Sequence, residues 1–356
     1  MAKILLFVLF IPIMAFDCNS NKLNATYQID ELNMEPKLSD KLFYFAFYNC
    51  ENLFDNIDDP ITRDSEFLPY GSKKWSQTKF EQKLTNISRV INSMNDNNGP
   101  DIIGLAEVEN YNVLKKLNDE FLHKDVYDII HFDSDDLRGI DVAMLYKKNV
   151  FKLISKSIYK IDLGVNQDPT RDILVVDFKY DNRNFTVIAN HWPSRRDGQA
   201  ASEHKRFKAA EVCANIIDSI YKDDPMSDII MIGDFNDEPF DRSMVEVMDA
   251  NKYIEGKEFS HRMINTSWGL TSNNRLGTHF YDNKWNILDQ ILFSKGLLHS
   301  PGLVIHDKSA QIFAPDFLRD DFDKKNRPPY RTFAGNEFIK GYSDHFPVFI
   351  KVGWVD

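Results

Sequence analysis

The sequence predicts an α/β protein, and three observations carry the prediction. From Lys41 onward, short apolar runs of strand type alternate with amphipathic helical stretches, with no break in composition. The chain of 356 residues is 43% hydrophobic and 27% charged, so it folds and has ample material for a large core. The run Ile229-Ile230-Met231-Ile232 stops abruptly at Gly233-Asp234-Phe235-Asn236-Asp237-Glu238-Pro239. A buried strand ends in this way when its last residues leave the core.

The elements follow in order. Lys3 precedes an uncharged apolar stretch, Ile4 to Phe16. That stretch is too short to span a bilayer and fits the core of a signal peptide. Residues 1–17 are therefore expected to be a signal peptide and 18–40, polar with Pro36, a linker. Cys18 offers an alternative lipid anchor, but Phe16-Asp17 lacks the small residue usual before one. Cleavage and export, to a secreted or periplasmic location, is the expectation. Residues 41–356 form the folded domain.

Leu42 to Tyr48 reads as the first strand. Phe80, Leu84, Ile87, Ile91 and Met94 recur at steps of four and three, so Ser76 to Met94 reads as a helix, closed by Asn95 to Pro100. Ile102 to Ala106 is a short buried strand, and Val113, Leu114, Leu117 and Phe121 indicate another helix. Strand patterns return at 127–132, 141–146, 173–178 and 185–189. Ser202 to Tyr221 is a second long helix, with Phe207, Ala210, Cys213, Ile217 and Ile220 on one face. Further strands are expected at 228–232, 287–293 and 346–352. The segments 56–75, 265–283 and 307–340 read as long loops, which often carry binding surfaces.

Composition limits the function. The net charge is −11, and a protein gripping nucleic acid over its whole surface is usually basic. An acidic chain can still act on phosphates if metal ions and a few local cations mask the repulsion. Three cysteines make no disulfide framework, and Cys50 and Cys213 fit as small core residues.

Polar groups gather at the strand ends. Asn49 and Glu51 follow the first strand, and Glu107 follows Ile102–Ala106. Asn190-His191 follows Phe185–Ala189, and Asp234 and Asn236 close Asp228–Ile232. Asp289 lies in the run Ile287-Leu288-Asp289-Gln290-Ile291-Leu292, and Ser343-Asp344-His345 opens the last strand. Taken singly, each reads as an ordinary turn residue, a helix-start acid or a satisfied core histidine. Six strand ends that all carry Asp, Glu, Asn or His are hard to obtain from turns alone. Asp234 and Asn236 point to the same side of an extended chain, a carboxylate beside an amide, which suits a phosphate site.

In this order the residues resemble the endonuclease/exonuclease/phosphatase superfamily, in particular its deoxyribonuclease I-like branch. The resemblance covers about residues 41–353. Gly233-Asp234-Phe235-Asn236 and Ser343-Asp344-His345 are its most specific pieces. Tyr48-Asn49-Cys50-Glu51-Asn52 and Gly104-Leu105-Ala106-Glu107-Val108 match more loosely. Thr170-Arg171-Asp172-Ile173 is similar to an Arg-Glu-Pro segment of the family, and only Arg171 carries over. His191 falls where the abasic endonucleases have Tyr, which weakens an abasic-repair reading.

The resemblance implies a four-layer α/β sandwich, two mixed β-sheets packed face to face with helices outside. It implies phosphate-ester hydrolysis, which needs a cation on the phosphoryl oxygens, an activated water and a proton for the leaving oxygen. Glu107 is the first candidate metal ligand, with Asn49, Glu51 and Asp344 beside it. Such hard oxygen ligands suit Mg²⁺ or Mn²⁺, with Ca²⁺ a further candidate. Asp234 and His345 are expected to activate the water, Asp289 to orient His345, and Asn236 to hold a phosphate oxygen. His191 is expected to protonate the leaving group, oriented by Asp141. Arg138, Arg171, Arg195 and Arg196 are candidate substrate contacts, because Arg forks match phosphate geometry. For Arg196 a solvated basic turn is an equal reading. Trp75, Trp268 and Trp285 receive no role.

The leading expectation is an exported metal-dependent nuclease acting on DNA or RNA, monomeric and without a stable protein partner. The alternative is a phosphomonoesterase, or a phospholipid or inositol-phosphate phosphoesterase, on the same core. A binding protein with a decayed site is disfavoured, since every expected catalytic position is filled.

Overall fold

A computed structural model describes residues 41–196, 198–273, 276–299, 301–306 and 309–355. These fall within one compact unit, Pro36–Asp356. The expected signal peptide, Cys18 and the linker lie outside the described residues.

The first strand, Leu42–Leu53, shows how the layers arise. Successive side chains on a strand face opposite ways. Phe43, Phe45 and Phe47 point into a core shared with the second sheet. Tyr44, Ala46 and Tyr48 point outward, into a second core under the helix Gln77–Asn97. The same alternation runs through Ile229–Asp234. There Ile230 and Ile232 face the first sheet, while Ile229 and Met231 face the helix Gln199–Asp223. Two sheets with apolar residues on both faces, each covered by a helix, give the four layers implied by the sequence.

The first sheet runs, in spatial order, Gly302–Ile305, Val348–Val355, Leu42–Leu53, Ile102–Val108, Asp141–Lys147 and Tyr127–His131. The short strand Gln311–Ile312 pairs with Val348–Val355 at one side. The second runs Lys152–Tyr159, Ile173–Tyr180, Arg183–His191, Ile229–Asp234, Asp289–Phe293, Met263–Asn265 and Ala250–Asn251. Both are mixed: Leu42–Leu53 is parallel to Ile102–Val108, and Arg183–His191 to Ile229–Asp234.

Several local features depart from expectation. The strand Lys152–Tyr159 has no sequence forerunner. It is an edge strand with most side chains exposed, so it lacks an apolar pattern. On the helix Gln199–Asp223 the buried face includes Arg206. Phe207, expected inside, is half-buried under the guanidinium of Arg242. The segment 265–283 is not all loop: Met263–Asn265 is a strand, and His279–Tyr281 pairs with Lys284–Asn286 as a hairpin. Trp75 is buried, and its Nε1 donates to the carbonyl of Phe54 at 3.0 Å.

Candidate active site

Strand register collects the polar residues at one edge of the sandwich. In the second sheet His191 sits opposite Asp234, and Asp234 opposite Asp289. Gly233 permits the close pairing, since a Cβ there would lie 2.5 Å from the carbonyl oxygen of Asn190. In the first sheet Asn49 pairs with Ala106, and the register slips just beyond, between Asn49 and Leu53 and between Ala106 and Val108. Those irregularities turn Glu51 and Glu107 to the edge. Glu51, Asn52, Glu107 and Asn236 all have φ between 49° and 60°. Left-handed backbone costs a non-glycine residue about 1 kcal/mol or more, and such strain concentrates at functional sites.

Asn49 bridges the two sheets. Its Nδ2 donates to Asp234 Oδ2 at 3.1 Å, and its Oδ1 accepts from the amide of Glu51 at 2.9 Å. Around Asp234 Oδ2 stand His191 Nε2 at 3.6 Å and His345 Nε2 at 4.0 Å. The other oxygen of Asp234 accepts from the amide of Asn236 at 2.9 Å. The Asn236 Nδ2 donates to the carbonyl of Trp192 at 3.0 Å. Asp289, buried and held by Thr278 Oγ1 through its amide, places Oδ2 2.7 Å from His345 Nδ1.

These contacts set the charges. Asp289, Asp234 and Asp344 face His345, and against the pull of burial they push its pKa well above the ordinary histidine value. Burial, with Arg171 and Arg138 nearby, drives that of His191 well below it. These surroundings favour the cationic form of His345 and the neutral form of His191. The roles expected from the sequence, His345 as base and His191 as proton donor, ask for the opposite charges. Asp234 is pushed up to about 6 by burial and by the charge of Asp289. Asp141 does not orient His191: its carboxylate accepts from His131 Nε2 at 2.9 Å and from the amide of Ser134. His191 Nδ1 is buried without a partner.

Beside this cluster lies a carboxylate group. Glu107 Oε2 accepts from the amide of Asn52 at 2.9 Å. Glu51 Oε2 accepts from the amide of Thr332 at 2.6 Å. Arg331 spans Glu51, at 3.6 Å, and Asp344, at 3.3 Å. Burial, and then the charge of Asp344, push the Glu51 carboxyl up to about 7. The charge of Asp344 opposes ionisation of Glu51, a repulsion that a hard divalent cation between them would relieve. The ligand atoms of His279, Asp344 and His345 lie within 4.8 Å of one another, as do those of Asp234, Asp289 and His345, and either group could hold a metal ion. Asn49, expected among the metal ligands, bridges Glu51 and Asp234.

The four expected substrate arginines separate. Arg171 is buried, 3.1 Å from Asp136, and donates to the carbonyl of Trp192 at 2.7 Å. Arg195 is held by Asp241 at 2.6 Å, by Asp237 at 3.1 Å and by the carbonyl of Asn236 at 2.6 Å. Both shape the site from behind. Arg138 stays at the edge, donating to Asn52 Oδ1 at 2.5 Å and lying 3.8 Å from Glu107. Arg196 is exposed.

Two residues at the site escaped the sequence reading. Arg331 lies in a segment read only as a loop. His279 packs against His345 with the rings tilted by 33° and their centroids 4.7 Å apart, and burial lowers its pKa to about 4. Its position beside Thr278, which ties Asp289, gave no signal because the hairpin strands are three residues long.

The sequence profile of the Endonuclease/Exonuclease/phosphatase family matches residues 44–353. No curated protein matches the chain. Solved structures share the fold. A family protein from Bacteroides thetaiotaomicron has 17% identity and a TM-score of 0.54, covering 88% of this chain and 98% of its own. The human Nocturnin catalytic domain, with a bound sulfate anion, has 15% identity and a TM-score of 0.52, covering 87% and 94%. D. rerio TDP2, complexed with a single-strand DNA product, has 13% identity and a TM-score of 0.53, covering 88% and 99%.

Proposed function

We infer, since this chain belongs to the endonuclease/exonuclease/phosphatase family, that it hydrolyses phosphodiesters and that its substrate is DNA or RNA. That it is a divalent-metal-dependent phosphoric ester hydrolase follows from the family. One observation carries the finer reading. Asp234 Oδ2 lies within 4.0 Å of the imidazole nitrogens of both His191 and His345, and His345 in turn meets the carboxylates of Asp289 and Asp344. A base, a cation and hard ligands are thus side by side.

A divalent ion held by Glu51, Glu107 and Asp344 would neutralise phosphoryl oxygens and ease deprotonation of water. We assign it as Mg²⁺, with Mn²⁺ and Ca²⁺ as substitutes. The chain's own groups do the rest. Asp234, raised to about 6, is ionised at neutral pH yet basic enough to take a proton from water. His345, kept cationic by Asp289, presents Nε2–H to the charge that builds on the phosphoryl group. Asn236 has one Nδ2–H committed to Trp192 and a second free for a phosphate oxygen. Asn49 sets the angle of the Asp234 carboxylate.

Export, by the leader expected at 1–17, would bring the enzyme to extracellular nucleic acid as a secreted or periplasmic monomer. The alternative substrate class keeps one supporting observation. With Arg171 and Arg195 tied up internally, few cations face a polyanion, and the chain carries −11. A small phosphate ester or a lipid head group needs fewer. The purified protein should be assayed with Mg²⁺, Mn²⁺ and Ca²⁺ on plasmid DNA, RNA, sphingomyelin, inositol phosphates and an aryl phosphate. Cleavage of DNA or RNA is expected. Intact nucleic acid alongside hydrolysis of a lipid or an inositol phosphate would move the enzyme to the alternative.

A further inference from the structure

Lys83 is fully buried on the helix Gln77–Asn97, on the same face as Phe80, Leu84 and Ile87. Taking an ammonium out of water costs several kcal/mol, and the helix would pack as well around an apolar residue. The reason for the charge lies across the interface. The Nζ donates to Thr332 Oγ1 at 2.5 Å and to the carbonyl of Tyr342 at 2.6 Å. Thr332 is the residue whose amide holds Glu51, and Tyr342 leads straight into Ser343-Asp344-His345.

The next turns of the helix repeat the attachment. Asn86 Nδ2 donates to the carbonyls of Lys340 and Gly341, and Arg89 to the Tyr342 hydroxyl. The two passes of this segment are pressed together, since a Cβ on Gly341 would lie 2.0 Å from the carbonyl oxygen of Arg331. Asn86 and Arg89 thus already fix the backbone. What Lys83 adds is a second cation, fully buried, behind the half-exposed Arg331 that spans Glu51 and Asp344. Burial lowers its pKa, and Glu51, Cys50, Asp344 and Glu107, in that order, act to raise it. Against burial, Lys83 in turn lowers that of Glu51, ahead of Arg331, and that of Asp344, after His345, His279 and Arg331.

We propose that Lys83 is a positioning residue that acts, with Arg331, as a resident counter-cation of the metal-binding carboxylates, holding Glu51 and Asp344 assembled before a metal arrives. The inference rests on the metal site described under the proposed function. It makes a prediction that a simple tether does not. A tether, once cut, loosens the site and weakens metal binding. A counter-cation competes with the metal, so its removal lowers the stability of the metal-free protein and tightens metal binding.

The test is Mn²⁺ binding by the full chain at pH 8.5, read from the electron paramagnetic resonance signal of free Mn²⁺, with thermal unfolding in chelator and in Mn²⁺. Lys83→Gln keeps two donors and loses the charge. It should bind Mn²⁺ about tenfold more tightly, the scale of one unit charge acting on a divalent ion through a partly screened site. It should unfold earlier than wild type in chelator and regain much of the difference in Mn²⁺. Thr332→Val removes one hydrogen bond to the ammonium and keeps the charge, so its Mn²⁺ affinity should match wild type. A Lys83→Gln protein that folds only with Mn²⁺ would also support the proposal. Unchanged or weaker binding by Lys83→Gln, or a variant unfolded even in saturating Mn²⁺, would overturn it. Wild-type protein that binds no Mn²⁺ would instead remove the metal site, and the proposal with it.

Discussion

Replacing Asp289 with Asn tests how the site holds its charge. Asp289 is fully buried, with Oδ2 2.7 Å from His345 Nδ1, while Asp234 and Asp344 stand at 4.0 and 3.9 Å from Nε2. The substitution keeps the shape and an acceptor for Nδ1–H, and removes one of three negative charges facing the imidazolium. Two unit charges about 4 Å apart interact by about 4 kcal/mol at an effective dielectric constant near 20. The retained hydrogen bond returns part of this, leaving a loss of about 2–4 kcal/mol, or about 30- to 1,000-fold in kcat/KM. The assay is turnover of a chromogenic phosphodiester with Mg²⁺ across pH. Activity that depends on cationic His345 falls as pH rises through its pKa. In Asp289→Asn that pKa drops toward the ordinary histidine value, so the alkaline limb moves to lower pH. Wild-type kcat/KM with an unmoved alkaline limb would refute the role given to this pair.

Other consequences follow from the same structure. Burial pushes Glu51 and Asp228 up to about 7 and Glu109 up to about 8, and His345 is also raised. Above pH 6.5 the folded chain therefore holds more protons than the unfolded one, and metal-free protein should lose stability as pH rises to 8, by about 1.4 kcal/mol per extra proton per pH unit. Denaturant melts in chelator check this, and stability that rises across the window would contradict it. Arg195→Ala should lower stability by about 1–3 kcal/mol, since it strips Asp237, Asp241 and the Asn236 carbonyl of a partner. Arg138→Ala, at a half-exposed side chain, should leave the melting temperature unchanged and raise KM more than it lowers kcat. A stable Arg195 variant with a raised KM alone would return that residue to the substrate.

The layered fold was legible because burial writes a period into the sequence. Phe43, Phe45 and Phe47 alternate with Tyr44, Ala46 and Tyr48, and each set meets a different core. The strand Lys152–Tyr159 and the hairpin at His279 were not legible, because one is exposed along its length and the other is too short for a pattern. At the site, residue types at strand ends were readable, and register brought His191, Asp234 and Asp289 together. Arginine roles were not readable. Arg171 and Arg195 resemble phosphate ligands in sequence, but their partners Asp136, Asp237 and Asp241 are distant along the chain. The charges of the two histidines likewise depend on which carboxylates face them. Lys83 did leave a trace, a lone cation among Phe80, Leu84 and Ile87 on an apolar helical face.

The most direct test of the account is turnover of a phosphodiester by chelator-treated protein before and after divalent cation is returned, with Glu107→Ala alongside. The account predicts no turnover in excess chelator, recovery with Mg²⁺ or Mn²⁺, and none in the Glu107 variant, whose fold stays intact. Full turnover in excess chelator would contradict it.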